Sequence, residues 1–323
     1  MKISVIVPVY NSQLTLRELV ERLTAVLAAN YEGYEIILVN DGSADGSWSI
    51  IKQLANENRC IRALNMMRNY GQHNALLAGL RAAAGDFTVT IDDDLQNPPE
   101  EIPKLTQMFA RGYDVVYGKP AKAEHDTLRN IASDLTKFVL AGSMGADTAR
   151  SISSFRAFRT NLREAFSEYR NPHVNIDVLL TWGTKNFTHI EVMHNARACG
   201  KSTYTLGKLI NHALNMVTGF STAPLRIASL TGIVFTFIGA LLLIYVIGRF
   251  LIQGVAVPGF VFLASTTLLF SGAQMFALGI MGEYISRIFL RNMDRPVYTI
   301  KEELHSSLEL AQLAARYNDK EIS

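Results

Sequence analysis

Asp92, Asp93 and Asp94 stand side by side directly after the apolar run Val89-Thr90-Ile91. Three like charges so close together are costly to ionise unless a cation or a fixed dipole offsets them. A divalent ion does this well: magnesium or manganese takes hard oxygen ligands, keeps several waters, and bridges one or two carboxylates to substrate phosphates. An exposed acidic turn, capping the helix announced by Pro98-Pro99-Glu100-Glu101, accounts for the triplet equally well on its own. A second candidate is basic: residues 197–226 hold Arg197, Lys201, Lys208 and Arg226 and no Asp or Glu. Such a stretch suits an anionic head group or a lipid phosphate, or else is a solvated basic face. His189 and His194 are five apart with no cysteine pattern beside them, which argues against zinc. His73 reads as a neighbour of the site or as an ordinary packed or solvated histidine. Cys60 and Cys199 make no disulfide framework, and a net charge of +2 is too small to argue for a nucleic-acid partner.

The elements that must position these residues alternate. Ile3-Ser4-Val5-Ile6-Val7-Pro8 reads as a strand, 14–27 as a helix, Glu35-Ile36-Ile37-Leu38-Val39 as a strand, and 47–58 as a helix. A third strand at 61–66, a helix at 75–84 and a fourth strand at 86–91 come next. This order predicts a doubly wound α/β domain with a mainly parallel sheet, whose ligands collect beyond the carboxyl ends of the strands. The polar clusters fall there: Asn11 with Ser12, Asp41, Arg68-Asn69-Tyr70-Gly71, and the aspartate triplet. The polar stretch 301–323 reads as a helix with a frayed end.

From Ile227 to Gly248 there is no charged residue, and after Arg249 none until Glu283. A bilayer core needs roughly 20 apolar residues in a helix, so two spans are expected, at 228–250 and 259–282, joined by a turn at 253–259. Lys208 and Arg226 precede them and Arg287, Arg291 and Arg295 come after, which places the catalytic part and both termini in the cytoplasm. The opening residues are too short an apolar run for a signal peptide. The expected divisions are a catalytic domain at 1–204, an amphipathic juxtamembrane helix at 205–226, a two-span hairpin at 227–283, and a juxtamembrane helix and tail at 284–323.

Pro8-Val9-Tyr10-Asn11, Asn40-Asp41-Gly42-Ser43 with Asp45, and Asp92-Asp93-Asp94-Leu95-Gln96-Asn97-Pro98-Pro99-Glu100 occur in that order. Together they resemble the family-2 glycosyltransferases, and more narrowly their polyprenyl-phosphate branch, which includes dolichyl-phosphate mannose synthases, bactoprenol glucosyltransferases and undecaprenyl-phosphate aminoarabinose transferases. Arg68-Asn69-Tyr70-Gly71-Gln72-His73 is most similar to the last group. The resemblance implies a GT-A-like fold in which Asp92 and Asp94 are the outer carboxylates of a catalytic Mg2+ or Mn2+ motif, with Gln96 a further nearby ligand. It places Pro8, Tyr10, Asn11 and Asp41 around the nucleotide base and ribose, and Asp93, in the variable middle position, with them on the nucleotide side near the ribose. A carboxylate such as Asp41 can accept from a uracil imide, although it also reads as a cap for the helix at 47–58.

Ser153-Ser154-Phe155-Arg156 stands where relatives carry Gly-Asp-Phe-Arg or Ser-Gly-Phe-Arg. By resemblance Arg156 holds the acceptor or donor phosphate, a task its planar donors suit. Ser154, in place of an aspartate, offers no base. None is needed for a phosphate acceptor, whose second pKa of about 6 leaves it mostly dianionic at neutral pH. Arg197-Ala198-Cys199-Gly200-Lys201-Ser202-Thr203-Tyr204 resembles the family's Arg-x-x-Gly-x-Ser-Lys-Tyr segment, with Thr203 where lysine is usual. Arg197, Lys201 and Ser202 are thereby implied at the phosphates, and Ser154 with Arg156 at the acceptor.

The implied activity is inverting transfer of a sugar from a nucleotide sugar, with uridine diphosphate favoured, to polyprenyl phosphate, with undecaprenyl phosphate favoured. The setting is the bacterial inner membrane, the product a lipid-linked sugar for envelope glycan modification, and a homo-tetramer is compatible. The rival expectations are a polysaccharide synthase, for which two spans are few, and a non-catalytic lipid-binding membrane scaffold, against which the intact aspartates weigh.

Overall fold

The run that opens the sequence becomes β1 (Lys2–Val9), buried from Ile3 onward because both its faces are covered. The fold is that of a computed structural model, which describes residues 1–120, 151–171, 174–195, 222–253, 259–293 and 295–305. β1 pairs in parallel with β2 (Gly33–Asn40) and β4 (Phe87–Thr90), and β2 with β3 (Ile61–Met66). Helices α1 (Leu16–Asn30), α2 (Ser47–Glu57) and α3 (Gln72–Ala82) make the crossovers. Leu16, Leu19, Val20, Leu23 and Leu27 of α1 recur every three or four residues and join one core with Ile3, Val5, Val7 and Val9. Each such side chain contributes about 1.5–3 kcal/mol on burial. On the other face α3 comes very near the sheet: a Cβ on Gly79 would lie 2.5 Å from Ile6.

Beyond β4 the sheet is mixed rather than mainly parallel. After α4 (Ile102–Gln107) come β5 (Val115–Pro120) and β6 (Arg156–Arg159), and β6 inserts antiparallel between β4 and β5. After α5 (Ile176–Gly183), β7 (Phe187–Val192) lies parallel to β5. The far end also differs from expectation. Ile300–Leu304 is not helical: it forms β8, antiparallel to β3, and gives the order β7-β5-β6-β4-β1-β2-β3-β8. Tertiary partners decide this, because Arg62, 8% exposed, bonds through Nε to Glu303 Oε1 at 2.9 Å, and Trp48 Nε1 to Glu302 Oε2 at 3.1 Å.

The chain divides into two units, Met1–Leu209 with Arg295–Ser323, and Ile210–Asp294. The second holds α6 (Ala223–Gln253) and α7 (Gly259–Asn292). Within α6, Pro224–Arg249 is the one helix among the described residues long and apolar enough to cross a membrane, with 26 residues and a mean hydropathy of 2.5. At 1.5 Å per residue it spans about 39 Å, against roughly 30 Å of hydrocarbon. The expected second span falls within α7, whose Phe270 meets Phe235 of α6 edge to face with ring centroids 5.7 Å apart. Of the juxtamembrane helix expected at 205–226, residues 205–221 lie outside the described residues and 223–226 open α6; of the turn expected at 253–259, residues 254–258 lie outside them.

Candidate active site

β1, β2 and β4 run parallel, so the segments that leave their carboxyl ends meet on one side of the sheet. With the loop after β3 they line a cleft of about 290 Å³ that includes Pro8, Tyr10, Asp41, Gly71, Gln72 and the aspartate triplet. A larger depression, of about 560 Å³, lies around Met1, Tyr31 and Phe109 at the amino end of β1 and has no converging carboxylates. The chemistry therefore belongs to the smaller cleft.

The three aspartates point to different partners. Asp92 accepts from Gln72 Nε2 on Oδ1 at 2.7 Å and from Ser154 Oγ on Oδ2 at 2.6 Å. Asp93 turns to the loop after β1, where its Oδ2 accepts from the Tyr10 amide at 3.1 Å and from the Ser12 hydroxyl. Asp94 Oδ1 accepts from the Gln96 amide at 3.2 Å. Burial pushes the Asp93 carboxyl up to about 6, Ser12 and Tyr10 oppose the rise, and the charges of Asp92 and Asp94 add to it. Among the described residues the non-glycine positions with positive φ are Asn11 and Leu95, both in these loops. Such strain persists where surroundings hold it, and it gathers at functional sites.

On the other side of the cleft Asp41 accepts from the Tyr70 amide at 2.7 Å and the Gly71 amide at 2.9 Å. Burial raises its pKa, and those two amides work against the rise. It does not cap α2: Asp45 takes the Ser47 amide there, at 3.0 Å. Gly42, at φ +67°, lets the loop after β3 lie directly on the turn after β2, since a Cβ would be 2.5 Å from the backbone of Arg68 and Asn69. Asn11 ties the β1 loop to the same turn by accepting from the Ala44 amide at 2.8 Å. Tyr10, 52% exposed, leaves its ring open beside this buried acceptor, a combination suited to a planar heterocycle.

Ser154 and Arg156 part company. Ser154 reaches Asp92, but the β6 register pairs Arg156 with Thr90 and carries its side chain into the interior, where it is 2% exposed. There its Nη1 donates to Asp177 and its Nε to Thr90 Oγ1 at 3.1 Å, while Tyr117 donates to the same Asp177 at 2.9 Å. Burial works against the guanidinium charge, and Asp177, Tyr117 and Asp92 more than offset it. The phosphate fork expected of Arg156 is replaced by a buried ion pair beneath the site. Neither Asp177 nor Gln72 is among the candidates that residue type and spacing single out. Signals for both exist: Asp177 is a lone carboxylate in Ile176-Asp177-Val178-Leu179-Leu180, and Gln72 belongs to the Arg68–His73 motif. His73 accepts from the Ile176 amide at 3.3 Å through Nδ1 and so steadies the start of α5.

Arg197, Lys201 and Ser202 lie outside the described residues, within 196–221. The Asn195 amide donates to the carbonyl of Gln96 at 2.8 Å, and His194 meets Asn97 at 3.3 Å. His194 and Asn195 are therefore tied to the turn just after the aspartates. Gln96 enters these contacts through its main chain, donating to Asp94 and accepting from Asn195.

Residues 4–177, the part that builds this cleft, match the family described as Glycosyl transferase family 2. The chain belongs to glycosyltransferase family 2. Among its relatives, the undecaprenyl-phosphate 4-deoxy-4-formamido-L-arabinose transferase of Serratia proteamaculans is 38% identical over 304 residues, 93% of each chain. The protein of the same name from Pectobacterium carotovorum is 37% identical over 311 residues, 95% of each. Among solved structures, glucosyl-3-phosphoglycerate synthase from Mycobacterium tuberculosis, in complex with Mn2+, UDP-glucose and phosphoglyceric acid, gives a TM-score of 0.51 at 17% identity. It covers 67% of this chain and 77% of that one, a likeness that shows the GT-A-like fold.

In this glycosyltransferase the hard carboxylate oxygens of Asp92 and Asp94, and the mutual repulsion of the triplet, fit a divalent cation. Among the described residues no three His, Cys, Asp or Glu side chains form a metal cage. An ion held by these aspartates would complete its shell with water and substrate phosphate oxygens, as magnesium commonly does.

Proposed function

We propose that the enzyme transfers a sugar from a uridine diphosphate donor to undecaprenyl phosphate, with inversion at the anomeric carbon, on the cytoplasmic face of a bacterial inner membrane. The observation that carries this is the extent of the likeness: 38% identity runs through 93% of both chains, from the cleft into the long apolar helices, to a relative named for transfer onto undecaprenyl phosphate. In the reaction a phosphate oxygen of the lipid bonds to the anomeric carbon while the bond from that carbon to the diphosphate oxygen breaks, releasing the nucleoside diphosphate. Asp41, Tyr10, Asn11 and Pro8 hold the nucleotide. Asp92 and Asp94, with Gln96 close by, would hold Mg2+ or Mn2+, and the ion would supply charge neutralisation for the diphosphate. Asp93 fixes the loop after β1 against the triplet.

The acceptor phosphate is already ionised, so positioning and charge matter more than a base. Ser154 donates to Asp92 and removes no proton in this scheme. Arg156 contributes its charge from beneath, and Arg197, Lys201 and Ser202 close on the phosphates. α6 and α7 form a two-span hairpin with both chain ends cytoplasmic, and a homo-tetramer is compatible with this anchoring.

The test is to incubate the purified protein and undecaprenyl phosphate with a panel of nucleotide sugars, headed by UDP-4-deoxy-4-formamido-L-arabinose, and to analyse the lipid by mass spectrometry. A sugar-phosphate-undecaprenol product supports the reading. Transfer only to a growing polysaccharide, or donor binding with no transfer to any lipid phosphate, overturns it.

A further inference from the structure

The strand β8 reaches further than the sheet edge. Its ladder on β3 changes register between Asn65 and Met66, and at that irregularity the Met67 amide donates to the carbonyl of Thr299 at 2.9 Å. Irregularities of this kind end a pairing and re-aim the chain beyond it. Past Met67 the chain enters Arg68-Asn69-Tyr70-Gly71, whose last two residues donate their amides to Asp41. The loop is clasped from two sides, by Thr299 on one and by the bare Cα of Gly42 on the other. Asn40 Nδ2 donates to Asn65 Oδ1 at 2.8 Å in the buried layer below and fixes the two strand ends to one another. β8 itself is pinned by Arg62 to Glu303 and Trp48 to Glu302, and just before it the Arg81 guanidinium lies 5.6 Å from the Tyr298 ring.

We infer that residues 298–304 are a positioning strap for the donor nucleotide: they hold the 67–71 loop so that the Tyr70 and Gly71 amides keep Asp41 aimed into the cleft. The inference rests on the proposal that Asp41 meets the nucleotide. Glu303 touches no substrate; it acts through Arg62, β3 and the loop. An edge strand with charged residues at Lys301, Glu302 and Glu303 is also a protected edge, but that role alone would not order a loop at the far end of β3.

The experiment uses the full chain in detergent with Mn2+ present. UDP affinity is measured by calorimetry, and exchange of the Tyr70 and Gly71 amides by hydrogen–deuterium mass spectrometry, with the α1 amides as internal reference. Glu303→Arg, which sets a like charge against Arg62, is expected to weaken UDP binding about tenfold or more and to speed exchange across 67–71 while α1 stays protected. Glu303→Gln keeps an acceptor for Arg62 and is expected to restore most of both. Unchanged UDP affinity and unchanged 67–71 exchange in Glu303→Arg would overturn the inference, as would a loss of thermal stability with UDP affinity intact. If Glu303→Arg fails to fold, Glu302→Ala with Glu303→Ala, which removes the acceptors of both Trp48 and Arg62, is measured in the same way, with the same outcomes deciding. The nucleotide reading fails separately: Asp41→Ala would leave UDP affinity unchanged, while the exchange data would still report whether the strap orders the loop.

Discussion

Ser154 Oγ donates to Oδ2 of Asp92 at 2.6 Å, while Gln72 occupies the other oxygen of the same carboxylate. Two neutral donors thus help to orient the Asp92 carboxylate. Ser154 acts here as a support for Asp92. A hydrogen bond to a charged acceptor is worth about 1.5–3 kcal/mol, so Ser154→Ala is expected to lower kcat/KM for lipid transfer roughly ten- to a hundredfold. The loss should shrink as Mn2+ is raised. A metal-independent loss of several thousandfold in folded protein would instead assign Ser154 to the chemical step.

Asp92→Asn and Asp94→Asn should each reduce transfer by at least about a hundredfold, since on the proposed function each removes a charge that would anchor the ion and diphosphate. Chelation of the wild type should do the same, and added Mg2+ or Mn2+ should reverse it. Wild-type transfer that persists unchanged in excess chelator would remove the metal from the scheme.

Arg156→Ala strands a buried carboxylate. Asp177 would keep the Tyr117 hydroxyl but lose its counter-charge, and breaking a buried pair in this way costs about 3–5 kcal/mol. A large drop in thermal midpoint is the expected result, with activity falling alongside it. Replacing both members, as Arg156→Met with Asp177→Leu, should recover stability without recovering transfer. If Arg156→Ala melts like the wild type yet transfers nothing, the guanidinium contacts substrate directly.

Gly42→Ala places a Cβ against the backbone of Arg68 and Asn69 at a φ of +67°. The loop must move, at a cost of roughly 1–3 kcal/mol. UDP affinity should weaken more than acceptor KM changes. Equal effects on donor and acceptor would argue that the loop serves the whole cleft.

The hairpin proposal makes a topological prediction. A cysteine introduced at Val255, between α6 and α7 in the sequence, should be labelled by an impermeant maleimide from the periplasmic side, whereas one at Ser323 should be labelled only after lysis. The opposite pattern would invert the orientation.

Chemistry written in local order was legible from the chain alone. Apolar strands followed by Asn11, Asp41 and the triplet, and helices with three- and four-residue apolar spacing, fix β1 to β4 and α1 to α3, because burial of a repeating face depends on neighbours in sequence. The same holds for α6, whose uncharged run from Ile227 to Gly248 is long and apolar enough by itself to cross a membrane. Tertiary structure decided the rest. Ser154 meets Asp92 across 62 residues and Arg62 meets Glu303 across 241, separations at which no local pattern reports a contact. Arg156 shows the difference most sharply: its motif suggested a phosphate ligand, but pairing with Thr90 turns it inward to Asp177. Ile300–Leu304 has a polar composition that fits a surface helix, and only the open edge of β3, with Arg62 waiting beside it, makes it a strand. A strand's hydrogen bonds are satisfied by another part of the chain, whereas a helix satisfies its own, so an edge strand is the element a sequence reveals least.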